Sequence, residues 1–166
     1  MTEPTALVLV DGSNLAAQLR RRGDGVDVSA LRGWAAAYGT PQVHWFQGAY
    51  EHAGAFLNVV RGAGIQVHTR VPKLLPNGRL KANCDTDLAV YGAKQLLGAS
   101  VDTLVLVSGD GDFEPLLALA HERGARVVVV SDWGALDPAL AQFAEPSDVV
   151  PIGDLPMRPP VLVEAA

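Results

Sequence analysis

The sequence predicts a three-layer α/β fold, a mainly parallel sheet with helices on both faces, and three observations carry that prediction. Short apolar, β-branched runs recur along the chain, ALVLV at 6–10, TLVLV at 103–107 and RVVVV at 126–130. Such runs lack the alternation of a half-exposed strand and suit strands buried on both faces. Segments of helical spacing lie between them, and strands alternating with helices call for a parallel sheet with right-handed crossovers. Two of the strands also discharge into turn-forming and acidic residues, DGSN at 11–14 and SGDGD at 108–112, where helices should begin.

Taken in order, strand one runs through ALVLV and ends at Asp11, and a helix follows near LAAQLRRR. VDVSALRGWAAAYG predicts a second helix, with Ser29 as its N-cap and Gly39 as its stop signal. VHWFQGAY alternates well enough for strand two, EHAGAFLNVVRGAG has helical spacing and ends at glycine, and IQVHTR supplies strand three. Residues 72–83, PKLLPNGRLKAN, break the rhythm, because Pro76, Asn77 and Gly78 are a turn signal between two short apolar-basic arms of a hairpin or extended loop. From Asp85, DTDLAVYGAKQLLGA places Leu88, Tyr91 and Leu96 on a helical stripe. TLVLVS is strand four, PLLALAHERG a helix, ARVVVVS strand five, DPALAQFA a short helix and DVVPI a last strand. One domain is expected over 5–152, with a Pro-rich tail over 153–166 that is extended or poorly ordered. If the first three strands wind one way and strands four and five return beside strand one, the core order is 3-2-1-4-5. Asp11 and Asp110 then meet at the switch point, where open α/β sheets bind ligands beyond the carboxyl ends of their strands.

With 49% hydrophobic and 19% charged residues, the 166-residue chain has an ordinary globular composition. Its apolar runs fall far short of the roughly 18 residues of a membrane span. The N-terminus has no basic region ahead of an apolar one, so secretion is not expected. A single cysteine, Cys84, cannot form an internal disulfide, and a soluble, cytoplasmic protein without membrane partners is the expectation. A formal charge of -5 counts against a generic nucleic-acid binder. That charge is unevenly spread: between Glu51 and Asp85 there is no acid, while Arg61, Arg70, Lys73, Arg79 and Lys81 all fall in the window. A solvated loop accounts for such a run as well as a binding site does.

Taken singly, Asp11, Asp85, Asp87, Asp110 and Asp112 are each explained as a helix cap or a solvated charge. Taken together they are not, since the topology brings DGSN and SGDGD side by side and DTD opens the helix that leads into strand four. Two carboxylates about 5 Å apart repel by roughly 3 kcal/mol at an effective dielectric near 20. A helix N-terminus offsets only about 0.3–1 kcal/mol per acid. A cation closes the gap, and an all-oxygen ligand set favours Mg²⁺ or Mn²⁺. His44, His52, His68 and His121 are scattered and give no zinc spacing. Asn14 is positioned either to orient a water or phosphate or to serve as a plain turn residue, and Ser13 and Ser108 to cap backbone or to hold the acids by hydrogen bonds.

VLVDGSNL, KANCDTDLAVYGAKQL and LVSGDGDFEPLLALAHERGARVVVV together resemble the three signature segments of the NYN-domain family, relatives of PIN-domain nucleases, over about residues 5–150. The resemblance implies a PIN-like, Rossmann-like three-layer domain and metal-dependent cleavage of RNA phosphodiester bonds, a hydrolase using Mg²⁺ or Mn²⁺. It assigns Asp11, Asp85, Asp110 and Asp112 to metal and catalysis, and Asn14 to the accompanying amide. Arg70, Lys73, Arg79 and Lys81 lie on the loop leading to the central acids, where they are placed to hold flanking phosphates of single-stranded or structured RNA. Many relatives carry an acid six residues after the central aspartate; this chain has Tyr91 there, and Asp87 stands at a different helical angle. Tyr91 motivates a second reading, a metal-dependent RNA-binding or regulatory module with weak turnover. A third, an adhesion-type metal loop of DxSxS form, is opposed by Leu15 in place of the second serine. Phosphatase and response-receiver domains also place aspartates at strand ends, but no accompanying lysine-centred set is evident. Trp45, Phe46 and Tyr50 are expected in the core rather than stacked on bases, and Arg20, Arg21 and Arg22 on a helix surface. A shallow acidic site leaves room for a homodimer to complete a nucleic-acid groove.

Overall fold

The computed structural model describes residues 3–159. In chain order its strands are β1 (Thr5–Asp11), β2 (Gly25–Val26), β3 (Thr40–Gly48), β4 (Gln66–Arg70), β5 (Lys73–Leu74), β6 (Leu80–Lys81), β7 (Thr103–Val107), β8 (Arg126–Val130), β9 (Val149–Val150) and β10 (Met157–Arg158). The helices are α1 (Gly12–Arg22), α2 (Val28–Ala35), α3 (Gly54–Gly62), α4 (Asp85–Gly98), α5 (Glu114–Glu122) and α6 (Pro138–Ala141). The main sheet has the order β4-β3-β1-β7-β8-β9, and every pairing in it is parallel. In terms of the strands expected from the sequence this is 3-2-1-4-5, with the last strand added beyond the fifth.

Period-two alternation along β1 divides the interior into two cores. Val8 and Val10 face one side with Leu15, Leu19, Leu31 and Trp45, against α1, α2 and α3. Leu7 and Leu9 face the other with Phe46, Leu88, Leu96, Leu116 and Leu117, against α4 and α5. Residues 6–10 are at most 1% exposed, so each large side chain there contributes about 1.5–3 kcal/mol by burial, and Leu9→Ala would cost about 2–5 kcal/mol with its cavity. Gly92 sets how close α4 sits: a Cβ there would stand 2.8 Å from Leu9 Cδ1 and 3.0 Å from Leu116 Cδ1. That close approach brings the first turn of α4, with Asp85, over the ends of the central strands.

Two local expectations are corrected. The N-cap of α2 is Asp27, not Ser29, because the Asp27 carboxylate accepts from both the backbone N–H and the hydroxyl of Ser29. Packing also continues past residue 152: Leu155 is buried in the first core, and Met157 pairs antiparallel with Val26. The rest of the expected tail, 160–166, lies outside the described residues. Trp45 and Phe46 are core residues, each 2% exposed. Among the described residues no helix is long and apolar enough to cross a membrane.

Candidate active site

β1 and β7 are hydrogen-bonded neighbours in register, Val10 beside Val107, and the chain leaves them toward opposite faces of the sheet. Beyond β1 it enters α1; beyond β7 it enters a short 3-10 turn, Gly111–Phe113, and then α5. The divergence opens a crevice at the carboxyl ends of the two strands.

Asp11 sits at the bottom of it, 6% exposed. One of its carboxylate oxygens accepts from the Asn14 N–H at 3.1 Å, which caps α1, and the other from the Ser108 hydroxyl at 3.0 Å. Ser108 Oγ in turn accepts from the Asp110 N–H at 3.2 Å, so the two strand ends are tied through one serine. Burial pushes the Asp11 carboxyl up from 3.8 to about 6; its two hydrogen bonds oppose the rise, and the charges of Asp85 and Asp110 add to it. Asp85, in the first turn of α4, is also raised, by burial first and then by Asp110 and Asp112, against the opposing effects of Asn83 and Lys81. Four acids from three parts of the chain therefore share one electrostatic field, and among the described residues none of them is in an ion pair.

Capping alone does not explain this. Asp110 does cap the 3-10 turn, accepting from the Asp112 N–H at 3.0 Å, as Asp27 and Asp137 cap α2 and α6. But Asp27, hydrogen-bonded by Ser29, is lowered, the ordinary result for a cap near solvent, whereas Asp11 is raised. The difference is burial among like charges.

Asn14 has a narrower role than its residue type suggests. Its Oδ1 accepts from the Gly109 N–H at 3.2 Å and from Gln18 Nε2 at 2.6 Å. Gln18 Oε1 accepts from the Asp132 N–H at 2.7 Å and from the Ser131 hydroxyl at 3.3 Å. A backbone N–H at each end fixes the orientation of both amides. The Asn14 oxygen is fully used, leaving only its NH₂ to act on a ligand, as a donor. Gln18, 1% exposed, ties α1 to the loop after β8 and, through Asn14, to the loop after β7, and it escaped the sequence reading. Its signal was a polar residue one turn after Asn14, beside the apolar stripe of Leu15 and Leu19. Gly109 is equally confined: a Cβ would run into the Ala135 carbonyl and lie 2.5 Å from Ser131 Oγ.

The basic residues divide. Lys73 and Lys81 face each other across the β5–β6 hairpin, with Arg79 at its turn; all three are exposed, and Lys81 acts electrostatically on Asp85. Arg70 is separate. Its guanidinium makes a bidentate pair with Asp87, at 2.7 and 2.6 Å, so neither Arg70 nor Asp87 is free to serve the acids. Arg22 pairs with Asp24 and Asp132, on the far side of the Gln18 bridge. Tyr91 also points away from the crevice: its hydroxyl lies 3.2 Å from His44 Nε2, with its ring among those of His44, Phe46 and His68. Cys84 is buried with its thiol pushed up by burial, which rules it out as a thiolate nucleophile.

Whether a divalent ion suits these residues has two parts. The donors are all carboxylate oxygens, their charges are uncompensated, and Asp11 is fixed in place; in chemistry the set fits a hard cation. In spacing it is not closed: among the described residues no three His, Cys, Asp or Glu side chains are gathered closely enough to hold an ion as they stand. Asp11 is clamped, so Asp85 and Asp110, both partly exposed, are the side chains whose rotation would close it.

A parallel sheet whose first and fourth predicted strands are adjacent, with coupled carboxylates beyond their carboxyl ends, defines an acid-site α/β domain of PIN-like architecture. The NYN domain matches residues 5–146, nearly the whole chain, and the chain belongs to that family. An uncharacterized protein of Methanocaldococcus jannaschii, MJ0482, is 31% identical over 70 residues, covering 42% of this chain and 28% of that protein, so the match spans little more than a quarter of the relative. A solved structure, a protein of unknown function, VPA0982, from Vibrio parahaemolyticus, superposes with a TM-score of 0.75 over 92% of this chain and 96% of that one, at 21% identity. That likeness speaks to the fold.

Proposed function

We propose that the protein is a metal-dependent endoribonuclease, with Asp11, Asp85 and Asp110 as the ligands of one Mg²⁺ or Mn²⁺ ion and Asp112 completing its shell or serving a second. The observation that carries the reading is a buried carboxylate, Asp11, at the carboxyl end of β1, tied through Ser108 to Asp110 at the end of the neighbouring β7, with no cation paired to either or to Asp85 among the described residues. Family membership supports it, since NYN domains are nuclease-like and generally act on RNA. A bound ion would polarise the scissile phosphate and lower the pKa of attacking water. The chain's own groups do the rest. Asn14, limited to donating, holds a non-bridging phosphate oxygen. Lys73, Arg79 and Lys81 hold flanking phosphates, which positions a strand without reading its sequence. Asp112, the most open of the four acids, would, when it is not holding an ion, accept the proton that water loses as its oxygen bonds to phosphorus; the bond from phosphorus to the leaving oxygen breaks, and that oxygen takes a proton from solvent. Clamped by Ser108 and Asn14, Asp11 keeps the site at a fixed depth.

A second reading, an RNA-binding module with weak turnover, is favoured by the open spacing of the acids. One experiment separates the two. Purified protein is incubated with single-stranded and structured RNAs in Mg²⁺, Mn²⁺ or chelator, and RNA affinity is measured alongside. Metal-dependent product that disappears in Asp11→Asn and Asp110→Asn supports the nuclease. Tight binding without product under any metal supports the module, and full activity in both variants removes the assigned site.

A further inference from the structure

Beside the acids, not over them, lies a cavity of about 550 Å³ between α4 and the edge strand β4, lined by Phe46, His68, Thr69, Thr86, Tyr91 and Lys94. We propose that this groove is a nucleotide subsite, which receives the base and phosphate of a residue flanking the scissile one. The inference rests on the ribonuclease reading for its substrate and adds a place where that substrate is gripped.

The volume lies in the range of small-ligand sites. Its lining is flat and aromatic at the floor: the Phe46 and His68 rings stack at 4.4 Å and 7°, and the Tyr91 ring stands 4.8 Å from His68 at 49°. Phe46 is buried beneath, so the half-buried His68 is the ring available to a base. Thr69 and Thr86 add hydroxyls that both donate and accept.

Charge points to the same class of ligand. Arg70 and Asp87 also border the groove, but their bidentate pair cancels their charges. Lys94 remains, exposed and in no ion pair among the described residues. One free cation, a ring floor with the apolar Val90 beside it, and two hydroxyls match a base carrying a single phosphodiester charge better than a polyanion. Position agrees as well. Thr86 and Asp87 follow Asp85 directly on α4, and Lys94 lies about two and a half turns, roughly 14 Å, further along it. Two and a half turns also set Lys94 on the opposite side of α4 from Asp85, so a strand with one phosphate at Asp85 reaches the groove by crossing the first turn of α4 beside Thr86 and Asp87.

His44 sets whether the exposed edge of His68 donates or accepts. Its Nδ1 lies 3.1 Å from His68 Nε2 and its Nε2 lies 3.2 Å from the Tyr91 hydroxyl. Burial lowers both imidazoles, so the chain of three is neutral. A neutral chain can run in either sense. Donation from Tyr91 through His44 leaves His68 Nδ1 a donor, and the reverse leaves it an acceptor. Because Nδ1 lies in the plane of the ring, it can meet a donor or an acceptor beside the stacked base, such as a ribose hydroxyl.

The test uses a fluorescein-labelled single-stranded RNA oligonucleotide bound to the full chain carrying Asp11→Asn, read by anisotropy across a salt series. Lys94→Ala should weaken binding several-fold and reduce the slope of log affinity against log salt by about 0.7. His68→Ala should weaken binding about tenfold or more, and Lys94→Arg should restore the parent affinity. Lys94 is on the surface, so its variants fold whether or not His68→Ala does. Affinities within twofold of the parent for Lys94→Ala and Lys94→Glu, with Lys81→Glu weakened, would overturn the subsite while leaving the nuclease reading intact. Lys94-dependent binding in a protein that cleaves nothing would uphold the subsite and overturn the nuclease.

Discussion

Replacing Asp11 by Asn should stabilise the metal-free protein at neutral pH, although it alters the most buried acid of the site. The carboxyl is raised from 3.8 to about 6, so between those values the folded chain holds a proton that the unfolded chain has lost. Stability therefore falls as pH rises through that window and stays lower above it. At 1.36 kcal/mol per unit, a rise of about two units costs about 3 kcal/mol once the group is ionised. Asparagine removes that cost but keeps only one acceptor oxygen, and its NH₂ must face Ser108, a mismatch of about 1 kcal/mol. The net gain at pH 8 is about 2 kcal/mol, or about 4–8 °C in Tm for a chain of this size. At pH 4 the gain vanishes and the variant is the weaker by about 1 kcal/mol.

The measurement is the stability difference between wild type and Asp11→Asn from urea unfolding in chelator, at intervals from pH 4 to 8. The difference is needed because His44 works in the same window with the opposite sign. Burial lowers its imidazole from 6.5 to about 4, so the stability tied to its neutral form is present above pH 6.5 and is lost as pH falls toward 4. Wild type alone should look nearly flat there, each group masking the other. A difference that stays constant with pH would refute the reasoning, since Asp11 would then be an ordinary helix cap.

Three further outcomes follow from the same geometry. Saturating Mg²⁺ or Mn²⁺, at about 100 times its Kd, should raise wild-type stability by about 2.7 kcal/mol and raise Asp85→Asn by clearly less, read by scanning calorimetry; equal shifts in both would take Asp85 out of the ligand set. Gln18→Leu should cost about 1–3 kcal/mol by stranding the Asp132 N–H, and should slow RNA cleavage at least tenfold without touching an acid; an unchanged rate would show that Asn14 holds its place alone. Gly109→Ala should cost about 1–3 kcal/mol, because a Cβ meets the Ala135 carbonyl and backbone must shift, and a thermal midpoint equal to wild type would contradict the close approach.

The central strands were legible because their signals are local, unbroken apolar runs that stop at Asp11-Gly12 and at Ser108-Gly109-Asp110, and their order followed from the winding such a βα alternation takes. Other features depend on three-dimensional reach. Asp27 outcompetes Ser29 as a cap because its carboxylate engages Ser29 twice, while both residues suit an N-cap on paper. The two-residue strands β2 and β10 are too short to carry a pattern and exist through each other and the buried Leu155. Topology alone put Asp11 beside Asp110, and the family resemblance added Asp85, but nothing local pointed to Gln18, whose partners Ser131 and Asp132 lie 113 and 114 residues away on the loop after β8. Arg70 read as a free phosphate contact because its pairing depends on how far α4 is rotated about its axis.

That rotation also explains why the acids of DTD are not interchangeable. Asp85 and Asp87 lie about 200° apart around a helix that turns 100° per residue. With Gly92 holding α4 against Leu9, Asp85 looks toward the ends of β1 and β7 and Asp87 toward the edge strand and Arg70. Position 91 lies about 240° from Asp85, on the side of Asp87. Tyr91 therefore takes no carboxylate from the crevice, since a side chain there meets His44 and His68. Asp87 does not stand in for a missing ligand either, because it points to the edge strand, where it holds Arg70. On this geometry α4 contributes Asp85 alone to the acids, and its other face is left to the groove.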